Sequence, residues 1–283
     1  GDNSAGQAGN GSLPYQTTPG DVLGISNAGE IAAGGQHTCA AAAGSVKTVR
    51  CWGANDQGQL GNGDTTPSSL PVDTYDLGAS QLAAGWAHTC ALRSGGVVAC
   101  WGENMYGQVG DGSTAGRTTP VNLAISGATQ VVAGHEHSCA LMADKTVRCW
   151  GRNHIGQLGL GDTADRNSPV EVPGLAGVDE IAAGLAHTCA STGGAVKCWG
   201  YGRYGQLGNG ANTDVTTTPQ DVAGLAGATQ ITAGHGHSCA LLGDGSARCW
   251  GYNLQGALGD GTFVSSNVPV TVNLAGIAQI TAG

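Results

Sequence analysis

One pattern recurs five times in this chain: His-[Ser/Thr]-Cys-Ala, a short turn, then Cys-Trp-Gly. The copies open at His37, His88, His137, His187 and His237 and close at Trp52, Trp101, Trp150, Trp199 and Trp250. Their first cysteines lie 51, 49, 50 and 50 residues apart, and all ten cysteines belong to these pairs. A fixed period of this size means a solenoid or propeller, in which one supersecondary unit cannot bury its faces alone and stacks on its copies. At 283 residues such an array is expected to be a single domain over 1–283.

Composition narrows the classes. Charged residues make up 11% of the chain while glycine reaches 51 residues, which excludes long charged helices and polyelectrolyte disorder. The net charge of −9 disfavours non-specific binding to nucleic acid or to an anionic membrane face. No apolar run is long enough to span a membrane as a helix. The chain opens at Gly1-Asp2-Asn3 without Met or a signal peptide and so reads as processed or trimmed.

Hairpin arithmetic tests the cysteines, because opposed residues on an antiparallel hairpin sit symmetrically about its turn. Pairing Cys189 with Cys198 leaves Gly193-Gly194, the composition of a type I′ turn. Cys239 with Cys249 leaves Gly243-Asp244-Gly245, Cys90 with Cys100 leaves Ser94-Gly95-Gly96, and Cys139 with Cys149 leaves Ala143-Asp144-Lys145. Cys39 with Cys51 needs a five-residue loop, Ala43 to Lys47. Loop length varies, yet the cysteines always oppose each other, as cross-strand disulfides require. Buried thiols are the bland alternative, and zinc would need a fourth ligand beyond the two Cys and one His of each unit. Five disulfides imply the periplasm, the cell surface or the extracellular space.

Each repeat reads as four short strands. In the third they are Ala128 to Gly134, His137 to Leu141, Thr146 to Trp150 and a fourth led by Pro169, with a glycine-punctuated loop from Gly151 to Gly159. Pro is tolerated at strand starts and sheet edges. Four strands per repeat without helical periodicity suit an all-β propeller better than a β-helix with its shorter coils.

The recurring elements Ile31-Ala32-Ala33-Gly34, His37-Thr38-Cys39-Ala40, Cys51-Trp52-Gly53, Asn55 and Gly58-Gln59-Leu60-Gly61 carry a resemblance to the regulator of chromosome condensation repeat family, in its bacterial, cysteine-bearing secreted form. The resemblance covers nearly the whole chain and implies a β-propeller of four-stranded blades, seven in the best-known members. It leaves function open, since the family includes a nuclear nucleotide-exchange factor and β-lactamase inhibitors.

The ends belong to the same array. Gly1 to Gly11 matches the loop that follows Cys-Trp elsewhere, and Gln279 to Gly283 matches the strand before His-Thr-Cys. We therefore expect five repeats over 30–278, with residues 1–29 and 279–283 as the outer part and inner strand of one split blade. The edges there, at 279–283 and near Asp21-Val22-Leu23, are expected to accept a strand or hairpin donor.

The five repeated histidines are expected to be structural, each ring bonding backbone of the next blade, because catalysis needs one asymmetric site rather than five equal ones. The five Trp after the second Cys are expected in the core. Gly-Asn-Gly-Asp and Gly-Asp-Gly-Ser loops invite calcium, but none clusters enough oxygens, and Asn and Asp also stabilise turns. No nucleophile–base pair, Walker loop or paired-carboxylate motif stands out, so neither catalytic residues nor a cofactor nor a metal is assigned.

The variable positions are the informative ones. Between the Ala-Gly strand and the conserved His lie Gln36, Trp86, the pair His135 and Glu136, Leu185, and His235. Strand direction puts them on one face with the loops after Trp-Gly. Those loops contribute Asp56 and Gln57, Met105 and Tyr106, His154 and Ile155, Arg203 and Tyr204, and Leu254 and Gln255. A fixed scaffold presenting varied aromatic, apolar and charged side chains suits protein recognition. Related β-lactamase-inhibitory propellers bind through this face, which the resemblance extends to these positions. Ordinary loop drift is the bland alternative. The expected function is a secreted, non-catalytic protein-interaction module. A glycan- or small-ligand-binding propeller is the alternative, and guanine-nucleotide exchange on a small GTPase a remote one.

Overall fold

A computed structural model describes residues 2–43, 48–75 and 78–283. Its twenty strands form five four-stranded antiparallel sheets, the architecture of a β-propeller. In chain order the first sheet holds Ala28–Ala33, His37–Ala42, Val49–Gly53 and Ser68–Asp73. The second holds Ala79–Ala84, His88–Arg93, Val98–Gly102 and Arg117–Asn122. Ala128–Ala133, His137–Met142, Val147–Gly151 and Arg166–Glu171 make the third. The fourth comprises Glu180–Ala183, His187–Thr192, Ala195–Gly200 and Thr216–Asp221, and the fifth Ala228–Ala233, His237–Leu242, Ala247–Gly251 and Ser266–Thr271. Within each sheet the strands lie in sequence order, so short turns suffice to connect them. The chain clusters into two compact units, Gly1–Ser138 with Arg166–Pro169, and Cys139–Asp165 with Val170–Gly283.

Cysteine pairing follows from strand register. Cys39 opposes Cys51, Cys90 opposes Cys100, Cys189 opposes Cys198 and Cys239 opposes Cys249. All five intra-hairpin disulfides are formed, and no described cysteine is free. The turns have the expected lengths. Gly193 and Gly194 sit at φ 54° and 83° between the opposed Thr192 and Ala195, the left-handed pair a two-residue hairpin needs. Lys145 takes the left-handed place at φ 68°, the one non-glycine among the described residues to do so. The Ala43-to-Lys47 loop lies largely outside the described residues, but the bond from Ala42 N–H to Thr48 C=O (3.0 Å) closes its base.

The fourth strand departs from expectation. It does not begin at proline: Pro71, Pro120, Pro169, Pro219 and Pro269 each sit inside it. This strand is the edge of its sheet, so a residue whose nitrogen faces away from the ladder loses nothing by having no N–H. Residues 279–283 form no ladder, nor do residues 20–23. Instead Ile280 exchanges two hydrogen bonds with the Gln230 side-chain amide (2.9 and 3.0 Å).

One polar relay explains most of the repeat signature. The Thr89 hydroxyl donates to the Gln59 carbonyl (2.9 Å), which spends its proton, so its oxygen accepts from His37 Nε2–H at 2.8 Å. The same carbonyl accepts from Trp101 Nε1–H at 2.8 Å. His187, Ser238, Gln206 and Trp250 repeat the arrangement in the second unit. His37, His88 and His187 are therefore structural, but they bond a side-chain hydroxyl of the next sheet rather than its backbone. At the start of the chain, Gln7 carbonyl accepts from both Trp52 Nε1–H and Thr38 hydroxyl, so residues 2–11 do act as the loop that the other tryptophans use.

Close approach dictates the glycines of this relay. A Cβ at Gly34 would fall 2.3 Å from the His37 ring, and one at Gly61 only 2.7 Å from Trp101 Nε1. The five relay tryptophans are fully buried. Trp101 joins a core with Cys39, Cys51 and Leu60, and Trp250 joins one with Cys189, Cys198 and Leu207, so these two disulfides pack with the indole of the following sheet.

Candidate functional site

A buried asparagine holds the recognition loop of every repeat but the fourth, which carries Gly202 there. Asn55 Oδ1 accepts from Leu60 N–H (3.0 Å) while its Nδ2 donates to Thr66 C=O (3.1 Å); Asn104 and Asn253 make the same bonds. Asp64, Asp111, Asp162 and Asp260, the residues that suggested calcium, each accept from the N–H two positions on and so serve as turn builders. Arg117 adds a hydrogen bond to Asp111 (2.6 Å).

Four of the loops are tied to the variable pair of their own sheet. Ala54 N–H donates to Gln36 C=O, Glu103 to Ala87, Tyr201 to Ala186 and Tyr252 to Gly236, all at 2.8–2.9 Å. Pair and loop thus share one face, as strand direction requires. Gln36, Asp56, Gln57, Trp86, Met105, His154, Arg203, Tyr204, His235, Leu254 and Gln255 are exposed there. Tyr106, His135, Glu136, Ile155 and Leu185 are half-buried. The backbone is held by buried groups and the variable side chains stand out from it.

The first unit gathers several of these residues. Trp86, 48% exposed, stacks on His135 with ring centroids 4.6 Å apart and planes 19° from parallel. Its N–H donates to His135 C=O (3.1 Å), and its own carbonyl accepts from Gly35 N–H (3.2 Å). Gly35 is required there, since a Cβ would lie 2.6 Å from the indole. Acidity surrounds the stack. Glu136 Oε1 is 3.7 Å from His135 Nδ1. Burial, reinforced by the Glu136 charge, raises the Glu103 carboxyl above its usual range, although Gln108 donates to it (3.3 Å).

The second unit holds a cavity of about 560 Å³. Of the residues expected from sequence, Leu185, Tyr204, His235 and Gln255 line it. Gly236, the neighbour of His235 in its variable pair, also lines it, as do Tyr201, Gln206 and Tyr252, which were not foreseen. Tyr201 and Tyr252 occupy the first position after Trp-Gly, where the other repeats carry Ala54, Glu103 and Arg152. Variation at that position was the available signal. Burial raises the Tyr201 phenol above its ordinary value and so keeps the hydroxyl protonated.

Five disulfide-stapled sheets built around an indole–carbonyl relay, with varied loops on one face, define a β-propeller repeat protein. The model of the RCC1-like domain matches residues 1–283, and this chain belongs to that family. Solved structures agree on the fold. Human WBSCR16 is 25% identical with a TM-score of 0.78, over 88% of this chain and 68% of that one. Prp20p from Saccharomyces cerevisiae, described with its binding properties to Gsp1p and histones, is 21% identical with a TM-score of 0.73, over 89% and 80%. The CRINKLY WD40 ectodomain of the Arabidopsis thaliana receptor kinase ACR4 is 19% identical with a TM-score of 0.52, over 92% and 73%. No curated protein matches the sequence.

Proposed function

We propose that this chain is a non-catalytic protein-interaction module that recognises its partner through the variable loops. The observation that carries this reading is the exposed Trp86, held in one orientation by its stack on His135 and by its backbone bonds. Interface energy concentrates in such rigid aromatic anchors, because little side-chain entropy is lost when they are covered. Glu103, Glu136 and the net charge of −9 favour a partner whose contacting surface is basic. That Prp20p binds proteins supports the reading at the level of the fold. The disulfides favour an oxidising compartment, namely the periplasm, cell surface or extracellular space, and the secreted bacterial setting expected from sequence. No helix among the described residues is long and apolar enough to cross a membrane.

The test is a pull-down from the native secretome beside the double variant Trp86→Ala, Tyr106→Ala. A specific partner retained by the parent and lost by the folded variant is the expected result. A partner captured equally by both would refute this face as the interface.

A further inference from the structure

We propose that the cavity of the second unit is a binding site for a neutral saccharide, recognised by a wall of three tyrosines and a fixed amide at its base. Its rings are arranged for this. Tyr204 stands edge-on to Tyr252, with centroids 5.3 Å apart and planes 69° from parallel, and edge-on to Tyr201 at 5.9 Å and 82°. The wall therefore presents aromatic faces and phenolic edges in alternation. A pyranose has the matching surface, a face of slightly positive C–H groups that packs on the negative face of an aromatic ring, rimmed by hydroxyls that hydrogen-bond at its edges.

The polar groups suit hydroxyls rather than charges. Gln206 lines the cavity at 1% exposure. Its Oε1 accepts from Tyr204 N–H (3.0 Å), and its own carbonyl is held by Trp250 and Ser238. Among the described residues Nε2 has no partner, so a donor with a fixed direction is left for a ligand oxygen. Nε2 opens to the cavity, where a sugar hydroxyl or ring oxygen can accept from it. Gln255 and His235 add exposed hydrogen-bonding groups. Among the described residues no carboxylate, Lys or Arg lines the cavity, and the nearby Arg203 faces Asp214 at 4.0 Å. Anionic glycans thus find no counter-charge and quaternary ammonium groups no carboxylate. A volume of about 560 Å³ lies within the range of small-molecule sites and admits a short oligosaccharide.

This inference is independent of the interaction face around Trp86. The experiment is a glycan array on the full chain, followed by titration calorimetry with the best neutral hit, with sialyllactose and with tetramethylammonium chloride. We expect a neutral oligosaccharide to bind at about millimolar Kd or tighter. Tyr204→Ala should weaken it by about tenfold or more, whereas Tyr204→Phe, which keeps the ring, should stay within about threefold. Trp86→Ala should bind sugar like the parent, so loss of the protein-interaction reading would leave this result standing. If Tyr204→Ala unfolds, amide chemical-shift mapping on the parent decides, with changes expected at Tyr201, Tyr204 and Tyr252. An array without a neutral hit, an affinity unaltered in folded Tyr204→Ala, shifts confined elsewhere, or binding of only the anionic or cationic probe would each overturn the proposal.

Discussion

The Trp86 indole rests on the His135 imidazole at a centroid separation of 4.6 Å, joining side chains one repeat apart. The stack leaves about half of the indole open to solvent. Trp86→Ala should therefore change unfolding free energy by about 1 kcal/mol or less, since little buried surface is lost. Partner affinity should fall by about tenfold or more. Urea melts and partner titration on the same preparation check both halves.

The glycines that abut the histidine rings give a sharper stability test. A Cβ at Gly85 would lie 2.2 Å from His88 and 2.5 Å from the Gly134 carbonyl, so neither neighbour has room to yield. Gly85→Ala should cost about 1–3 kcal/mol or more in chemical denaturation, as overpacking does. Gly78→Ala meets nothing within 4 Å and should be close to neutral.

Burial holds His37 and His137 down to a pKa of about 4 and His88 to about 3. In the unfolded chain these groups take up protons near pH 6.5. Below that pH the unfolded state binds more protons than the folded one, so stability falls as pH falls. The contribution of these histidines is fully present above pH 6.5 and is lost progressively down to pH 4–3. At most the three remove about 4 kcal/mol per pH unit together. Denaturant midpoints measured from pH 8 to pH 4 should decline chiefly below pH 6.5.

The relay also separates two histidines that look equivalent in sequence. His187 Nε2 lies 2.8 Å from the Ser238 hydroxyl and is wholly buried, whereas His237 is half-exposed. His187→Ala should cost about 2–4 kcal/mol through the cavity and the lost hydrogen bond. For His237→Ala we expect about 1 kcal/mol or less. Equal losses in thermal or urea unfolding would contradict the relay.

Thiol titration in denaturant should find no free thiol before reduction and ten after it. Each bridge closes a short loop, so Cys189→Ala with Cys198→Ala should cost about 2–3 kcal/mol at most. The loss should appear first as faster hydrogen exchange in Ser191 to Val196, around the Gly193-Gly194 turn.

The sequence by itself determined the repeat and the hairpins. Cysteine register, turn length and the shared face of Gln36, Trp86 and the following loops are consequences of local backbone geometry, in which side chains alternate at a fixed period. A chain that repeats a local rule five times states it plainly. Pro169 misled because its place in an edge strand depends on which nitrogen faces the neighbouring strand, and residue identity does not carry that. Tertiary structure alone decided that Trp86 meets His135, that Thr89 rather than backbone receives His37, and that Tyr201, Tyr204 and Tyr252 enclose one cavity. These are contacts between different repeats, set by how one sheet packs on the next. Packing of that kind answers to the shape and volume of side chains far apart in sequence, and no periodicity within a single repeat records it.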